Sequence, residues 1–547
     1  MRTLRLTAET DNAAVLADAL RRLHPGPGRI VFEAGIHHFH AEQADSIWLH
    51  ASNHDNNRIP VACHLSGWTG LELVGENAEW RLHGRMVALL AGNCRDLRVS
   101  GIRIRAERPY VAEGLIRDVA EDHVDLTLDA PHEYQLRGDY AVFWDDAFAG
   151  ERSYLQLQGF DPGDGTLPRD APDNFGSFFP NRAEAVDEHT VRLFTRRPDL
   201  RAGLRAALKT EKRFSPAIVL DHVEDVAVED CALHDAGGMG LLAQFCENLT
   251  CHRLAVTPPP GSDRLISVQD DATHFVHCRG ELLLEDCVFE RQWDDGVNLH
   301  GTYRKLLSVL GPQEIFAASV HFQQHGVETF HPGDAVRLLP GKTLLPCWES
   351  VVDDVFIVNP QITRLRLRDP LPDPLPENPV LENSDWYPAA TICRCQFLDS
   401  IPRGILIHTP KPSAIIGNTF RNLPGPVIHT PAEAHFWHEA GALRHLRIAD
   451  NRFEHCGHHR NFRGDVGILA LEPQIEIDPG EGYFHDTIEI ANNDFGDAPA
   501  PYVTARSVRS LQLSGNRPER SGDSAVRTEA CGEVIDVTVD ATRSATS

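Results

Sequence analysis

The chain has 547 residues, 42% of them hydrophobic and 24% charged, with a formal net charge of −27. No run of about 18 apolar residues occurs, so no hydrophobic helix is expected to span a membrane. A field of this sign repels polyanions, which argues against nucleic acid and makes polyuronates awkward ligands while leaving neutral glycans open.

Twelve cysteines in 547 residues are too dilute for a disulfide framework, and those at strand-like positions read as small buried thiols. The opening MRTLRLTAET lacks the apolar stretch of a signal peptide. The expectation is therefore a cytoplasmic chain as it stands, or a secreted or periplasmic one if a leader has been removed.

In chain order, Thr10–Leu23 carries apolar residues at helical spacing (Val15, Leu16, Ala19, Leu20, Leu23) behind a Thr10/Asp11 cap. PGPG (Pro25–Gly28) ends it, and RIVFEAGIHHF reads as strand, glycine turn, strand. Such a helix is placed to cap the open end of a parallel coil, whose edge would otherwise pair with another chain.

From about Trp68 the pattern changes to short apolar strands parted by Gly, Asn and Asp turns. DVAVEDCALHD (Asp225–Asp235) is followed 23 residues later by NLTCHRLAVTP (Asn248–Pro258). In CRCQF, IGNTF, ADNRF and ANNDF the phenylalanines fall at 397, 420, 453 and 495, separated by 23, 33 and 42 residues. A base period of 23 with surplus in the turns predicts an all-β parallel solenoid, one coil per repeat, with coils about 4.8 Å apart. Asparagines recurring at one coil position suit a turn stack in which side-chain amides bond up and down.

Two stretches lack the 23-residue register and read as inserted β-barrel-like modules. The expected organisation is a cap helix and first coils in 1–112, an insertion in 113–213, coils in 214–301, a second insertion in 302–391, and final coils with a tail in 392–547. Long insertions either shape a pocket or pair subunits, the second of which would give a homodimer.

The chemistry is expected in QWDDGVNLHGTYR (Gln292–Arg304) and SVQDDATHF (Ser267–Phe275). Asp271 and Asp294 lie 23 residues apart, so stacked coils put them at the same position on one face, with Asp270 and Asp295 beside them. Carboxylates held that close cannot all ionise freely, and one is expected to keep a proton. That suits acid–base hydrolysis of a glycosidic bond, and a separation of roughly 6.5–9.5 Å would admit a water for inversion. Solvated turn aspartates, or a calcium site, are the alternatives.

Seven segments resemble glycoside hydrolase family 110, the bacterial exo-α-1,3-galactosidases: SNHD (Ser52–Asp55), HGRM (His83–Met86), HDAGGMGLLAQ (His234–Gln244), DATHF (Asp271–Phe275), DDGVNLHGTY (Asp294–Tyr303), RGILIHTP (Arg403–Pro410) and FWHEAGAL (Phe436–Leu443). Each is weak alone; together, in one order, they are specific. The resemblance implies a right-handed parallel β-helix with two inserted β-barrel modules, inverting hydrolysis without metal or organic cofactor, and a substrate oligosaccharide bearing terminal α-1,3-linked galactose, of blood-group-B or linear type. It assigns Asp271, Asp294 and Asp295 as the catalytic carboxylates, with a lean towards Asp271 as acid and the Asp294/Asp295 pair holding water. Gly296 stands where an alanine-like residue is expected.

Around these, Trp437 and Glu439 are expected to stack on and bind the sugar. Arg403 would hold a sugar hydroxyl or a catalytic aspartate, and His274 and His300 would orient the aspartates. Asn53, Asp55 and Arg85 would reach the site if an N-terminal loop folds over it. A polygalacturonase-like β-helix hydrolase is the competing enzyme reading, although RGILIH lacks the lysine that uronate binding wants; a non-catalytic glycan-binding β-helix is the other.

Overall fold

A computed structural model of the chain describes residues 2–8, 12–24, 26–144, 154–173, 175–210, 213–477, 480–518 and 525–537. It is a parallel β-helix with two inserted β modules, the architecture expected from the repeats. Three parallel sheets run the length of the solenoid. The first passes through Glu224–Glu229, Glu247–His252 and Arg279–Glu285, and the second through the short strands Ala255–Val256, Val288–Glu290 and Gln396–Leu398. The third, which carries the site, passes through Leu241–Gln244, Thr273–Val276, Val297–Gly311 and Ile405–Ile407.

The 23-residue period is visible in the ladder as Val226 beside Leu249, Thr391 beside Ala414 and Ile405 beside Ile428. Side chains that repeat at one coil position stack. Phe397, Phe420, Phe453 and Phe495 form a column with centroids 4.8–5.2 Å apart. Asn418, Asn451, Asn493 and Asn516 form the expected amide ladder, in which the Nδ2 of each of the first three donates to the next Oδ1 at 2.9–3.0 Å while also holding a carbonyl of the preceding coil. These residues are buried, so every bond in the ladder replaces one to water that folding removed.

The cap helix spans Asn12–Leu23. Leu16, Ala19, Leu20 and Leu23 are buried, whereas Val15, at the edge of that face, is 46% exposed and takes no part in the core. The Thr10/Asp11 cap and Pro25 lie outside the described residues. At the other end, strands Val526–Glu529 and Glu533–Val537 continue the ladder of the last coils. All twelve cysteines are free, and most are buried.

The first insertion is an antiparallel seven-stranded sheet with its own core, running from Val111–Val119 to Arg205–Lys209. The second is a closed ring of antiparallel pairs. The outer half of Val297–Gly311 pairs with Glu314–Ala318, then Ile362–Leu367, Trp348–Ile357, Ala335–Leu339 and Val380–Asn383, which returns to the first strand.

Replacing Asn451 with alanine removes the acceptor of two buried Asn418 donors, its backbone N–H and its Nδ2. The expected loss is about 3 kcal/mol, two unsatisfied buried groups at roughly 1–3 kcal/mol each. Chemical denaturation checks it against Arg452→Ala next door, an exposed change expected to stay within about 0.5 kcal/mol.

Candidate active site

The ladder between the two acidic segments has an offset of 24 residues, not 23: Thr273 pairs with Val297 and His274 with Asn298. Asp271 therefore lies beside Asp295, whose backbone N–H donates to Asp271 Oδ1 at 3.2 Å, and Asp294 lies beside Asp270. The expected Asp271–Asp294 stacking is displaced by one residue, because this coil carries one more residue than the base repeat. Convergence survives: oxygens of Asp271, Asp294 and Asp295 all lie within 4.8 Å of one another. That is tighter than the gap anticipated for an intervening water.

Gly296 follows directly. A Cβ there would stand 2.5 Å from the Phe397 ring and 2.7 Å from the Gly404 carbonyl oxygen, so the next coil requires glycine where the family resemblance suggested alanine.

Three cations from other parts of the chain meet the carboxyls. Lys209 Nζ, on the last strand of the first insertion, lies 2.6 Å from Asp270 Oδ1, and Arg213 Nε lies 2.9 Å from the same oxygen. Arg213 Nη2 also donates to Asp294 Oδ2 at 3.0 Å. Arg403, one coil beyond, donates to Asp295 Oδ1 at 2.7 Å and to Asp294 Oδ1 and Asp295 Oδ2 at 3.3 Å. Burial alone would push Asp270 up, but Arg213 and Lys209 outweigh it and hold Asp270 well below the usual carboxylate range. Asp295 goes the other way: burial, opposed by Arg403 and helped by Asp294, pushes it up to about 7.

Asp271 has no cation among its hydrogen-bond partners, and burial plus the charges of Asp294 and Asp295 drive it well above the carboxylate range. A pair of imidazoles stands behind it. His300 Nδ1 lies 2.6 Å from the Gly301 carbonyl, which only accepts, so that nitrogen carries hydrogen. His300 Nε2 lies 3.1 Å from His274 Nε2. His274 Nδ1 lies 2.8 Å from Asp271 Oδ2, so two imidazoles back the carboxyl that no cation bonds. Four carboxyls thus face three cations in one cluster. The guanidiniums already occupy both oxygens of Asp294 and of Asp295, so the cluster is built for arginine rather than for a calcium ion.

Asp271, Asp294 and Asp295 form the floor of a cavity of about 580 Å³. Of the expected residues, Asp271, Asp294, Asp295, Asn53, Asp55, Arg403, Trp437 and Glu439 line it. His274 and His300 do not; they stand behind Asp271 and Glu439, with His300 Nε2 3.6 Å from Glu439 Oε1. Arg85 is buried away from the lining, its guanidinium 5.8 Å from the Phe214 ring. Asn53, in the left-handed region at φ 57, reaches Glu439 Oε1 at 3.5 Å, and Gln323 Nε2 donates to Asp55 at 2.7 Å, so the N-terminal loop does fold over the site.

Sequence reasoning missed Lys209, Arg213, Asn298 and the aromatic rim. It also missed Glu433, whose buried carboxylate accepts the backbone N–H groups of His435, Phe436, Trp437 and His438 at 2.5–2.7 Å and so fixes the loop presenting Trp437. A glutamate three residues before an aromatic pair was the only signal available for it.

Asp270→Asn would leave Lys209 and Arg213 buried without their shared counter-charge, an expected loss of about 3–5 kcal/mol. Thermal unfolding of the variant against the parent checks this. Gly296→Ala is expected to be similarly harmful, because the ring and carbonyl it meets belong to the core of the next coil.

Residues 314–381 match the domain family described as GLAA-B beta-barrel domain II, the segment that forms most of the second ring. Along most of its length the chain is similar to proteins named alpha-1,3-galactosidase. It is 26% identical to the A form of Shewanella woodyi over 94% of this chain and 84% of that one. It is 25% identical to the B form of Bacteroides thetaiotaomicron over 94% and 85%. It is 26% identical to the B form of Akkermansia muciniphila over 91% of this chain and 62% of that one. Among solved structures it is similar to the family 28 exopolygalacturonase of Yersinia enterocolitica, at TM-score 0.39 and 11% identity, over 97% of this chain and 76% of that one. The chain is thus a homologue, across most of its sequence, of proteins named alpha-1,3-galactosidase A and B, consistent with the glycoside hydrolase family 110 pattern carried by its motifs.

Proposed function

We propose that this protein is an exo-acting glycoside hydrolase that releases terminal α-1,3-linked galactose from blood-group-B-type or linear Gal-α-1,3-Gal glycans, with inversion. The observation that carries the reading is the cluster at the cavity floor: Asp271, pushed up by burial and without a cation among its hydrogen-bond partners, beside Asp294 and Asp295 held by arginine. Acid–base hydrolysis needs that division of states. The names of the relatives supply the sugar and the linkage.

In this reading Asp271 protonates the glycosidic oxygen, and Asp294 with Asp295 orients the attacking water and takes its proton. Trp437 offers an apolar ring face to galactose. Glu439, held by Asn53 and Asn298 at 3.5 and 3.4 Å, accepts from sugar hydroxyls. The close spacing of the three carboxyls favours one second reading, retention through a glycosyl-enzyme ester on Asp294 or Asp295.

The released anomer, followed by NMR, separates the two: β-galactose first supports inversion, α-galactose the ester. Asp294→Asn is expected to cost at least about 10³-fold in kcat while leaving galactose binding in place, since it removes a group used in the chemical step. A non-catalytic glycan binder would show no turnover in either form.

The pH profile follows from Asp295. As part of the base it must be ionised, and in the free enzyme it titrates at about 7. Hence kcat/KM is expected to fall as the pH drops through about 7. In Arg403→Gln that limb moves to higher pH, because the cation that lowers Asp295 is gone. A profile flat across this range would remove Asp295 from the base role.

A further inference from the structure

The cavity has two kinds of wall. Its floor holds the charged groups, paired with one another. Its rim is aromatic and unusually exposed: Tyr154 is 55% accessible, Phe175 66%, Phe178 42%, Phe322 56% and Phe436 49%. Rings left half bare on a folded chain mark a surface that something covers, the more so when they gather at one opening.

The rim rings also touch. Phe175 meets Phe436 edge-on at 6.3 Å, Phe436 meets His321 at 5.7 Å, and His321 meets Phe322 at 4.8 Å. The arc draws on three separate parts of the chain: the first insertion, the loop following Glu314–Ala318, and the FWHEAG loop. Beneath it, His321 packs on Trp437 at 4.3 Å, so the rim continues directly from the ring assigned above to galactose.

We propose that this arc is the aglycone site, and that it takes the neutral sugars following the terminal galactose by stacking their apolar faces on Phe175, Phe436 and Phe322. The inference rests on the galactosidase reading and adds the substrate class: a neutral glycan of at least three sugars. Three features fix this occupant. The arc is continuous with the sugar pocket, so whatever is joined to a bound galactose must cross it. Its ring-to-ring steps of 4.8–6.3 Å offer more than one platform, where a single small aglycone would cover one. The chain's net charge of −27 disfavours sialylated or sulphated glycans.

The test compares α-galactosyl fluoride, whose leaving group is too small to reach the rim, with a neutral tetrasaccharide ending in α-1,3-galactose. In Phe175→Ala/Phe322→Ala, kcat/KM for the tetrasaccharide is expected to fall by about tenfold or more, the loss of two stacking contacts. Hydrolysis of the fluoride is expected to change less than about twofold by the same logic, since those contacts are absent with it. Inhibition by the degalactosylated trisaccharide should weaken in parallel, and inhibition by galactose should not. Equal losses on both substrates, or none on the tetrasaccharide, would overturn the aglycone site. A parent protein that releases galactose from neither substrate would instead overturn the galactosidase reading beneath it. Inhibition by a single-chain detergent matching that by the trisaccharide would assign the arc to a lipid and overturn the glycan proposal.

Discussion

Everything at the site depends on four carboxyls, three of them buried, being held together. Asp270 and Asp271 stand on one coil, and Asp294 and Asp295 on the next, at the strand spacing that parallel stacking imposes. Left alone, such a cluster would drive the coils apart or take up protons indiscriminately. Lys209, Arg213 and Arg403 prevent that, and they do so unevenly. Asp270 is held fully charged by two cations and serves as a fixed counter-ion, Asp294 and Asp295 share the two guanidiniums, and Asp271 is left to the imidazole chain behind it. A symmetric patch of aspartates thereby becomes a graded one, which is the condition for acid and base to differ.

The solenoid supplies the rigidity that this grading needs. Its buried columns of Phe and Asn run through successive coils on the C-terminal side of the site, so a displacement at one of these coils must disturb packing and amide bonds in its neighbours. Gly296 shows how little tolerance remains at the site, since the coil after the Asp294/Asp295 pair comes within van der Waals contact of that backbone. Side chains placed just before the strands of a stacked sheet keep their spacing without help from a ligand.

The insertions complete what a bare solenoid lacks, which is a concave site. A stack of coils presents a flat face, and the cavity exists because the first insertion, the second insertion and the FWHEAG loop rise around that face. They contribute differently. The first insertion brings Lys209 to the floor and Phe175 to the rim; the segment after Glu314–Ala318 brings His321 and Phe322; the FWHEAG loop is fixed by Glu433. Both inserted modules therefore shape the pocket.

The amino-acid sequence by itself determined the repeating part of the protein. A coil-length period in Asn, Phe and Asp is a local regularity, and stacking converts it directly into ladders, so the solenoid, the Asn stack and the gathering of Asp271, Asp294 and Asp295 could be read before any coordinates. The period also misled by one residue. A coil can lengthen by one at a turn without breaking the pattern around it, so Asp271 pairs with Asp295 and not with Asp294. Only the tertiary structure decided which groups meet the carboxyls. Lys209 and Arg213 lie at the end of an insertion with no register to count from, Asn53 lies about 240 residues before Asp294 in the chain, and His274 and His300 point behind the acids instead of into the cavity. Those contacts join segments remote in sequence, and a local pattern carries no information about where an off-register module docks.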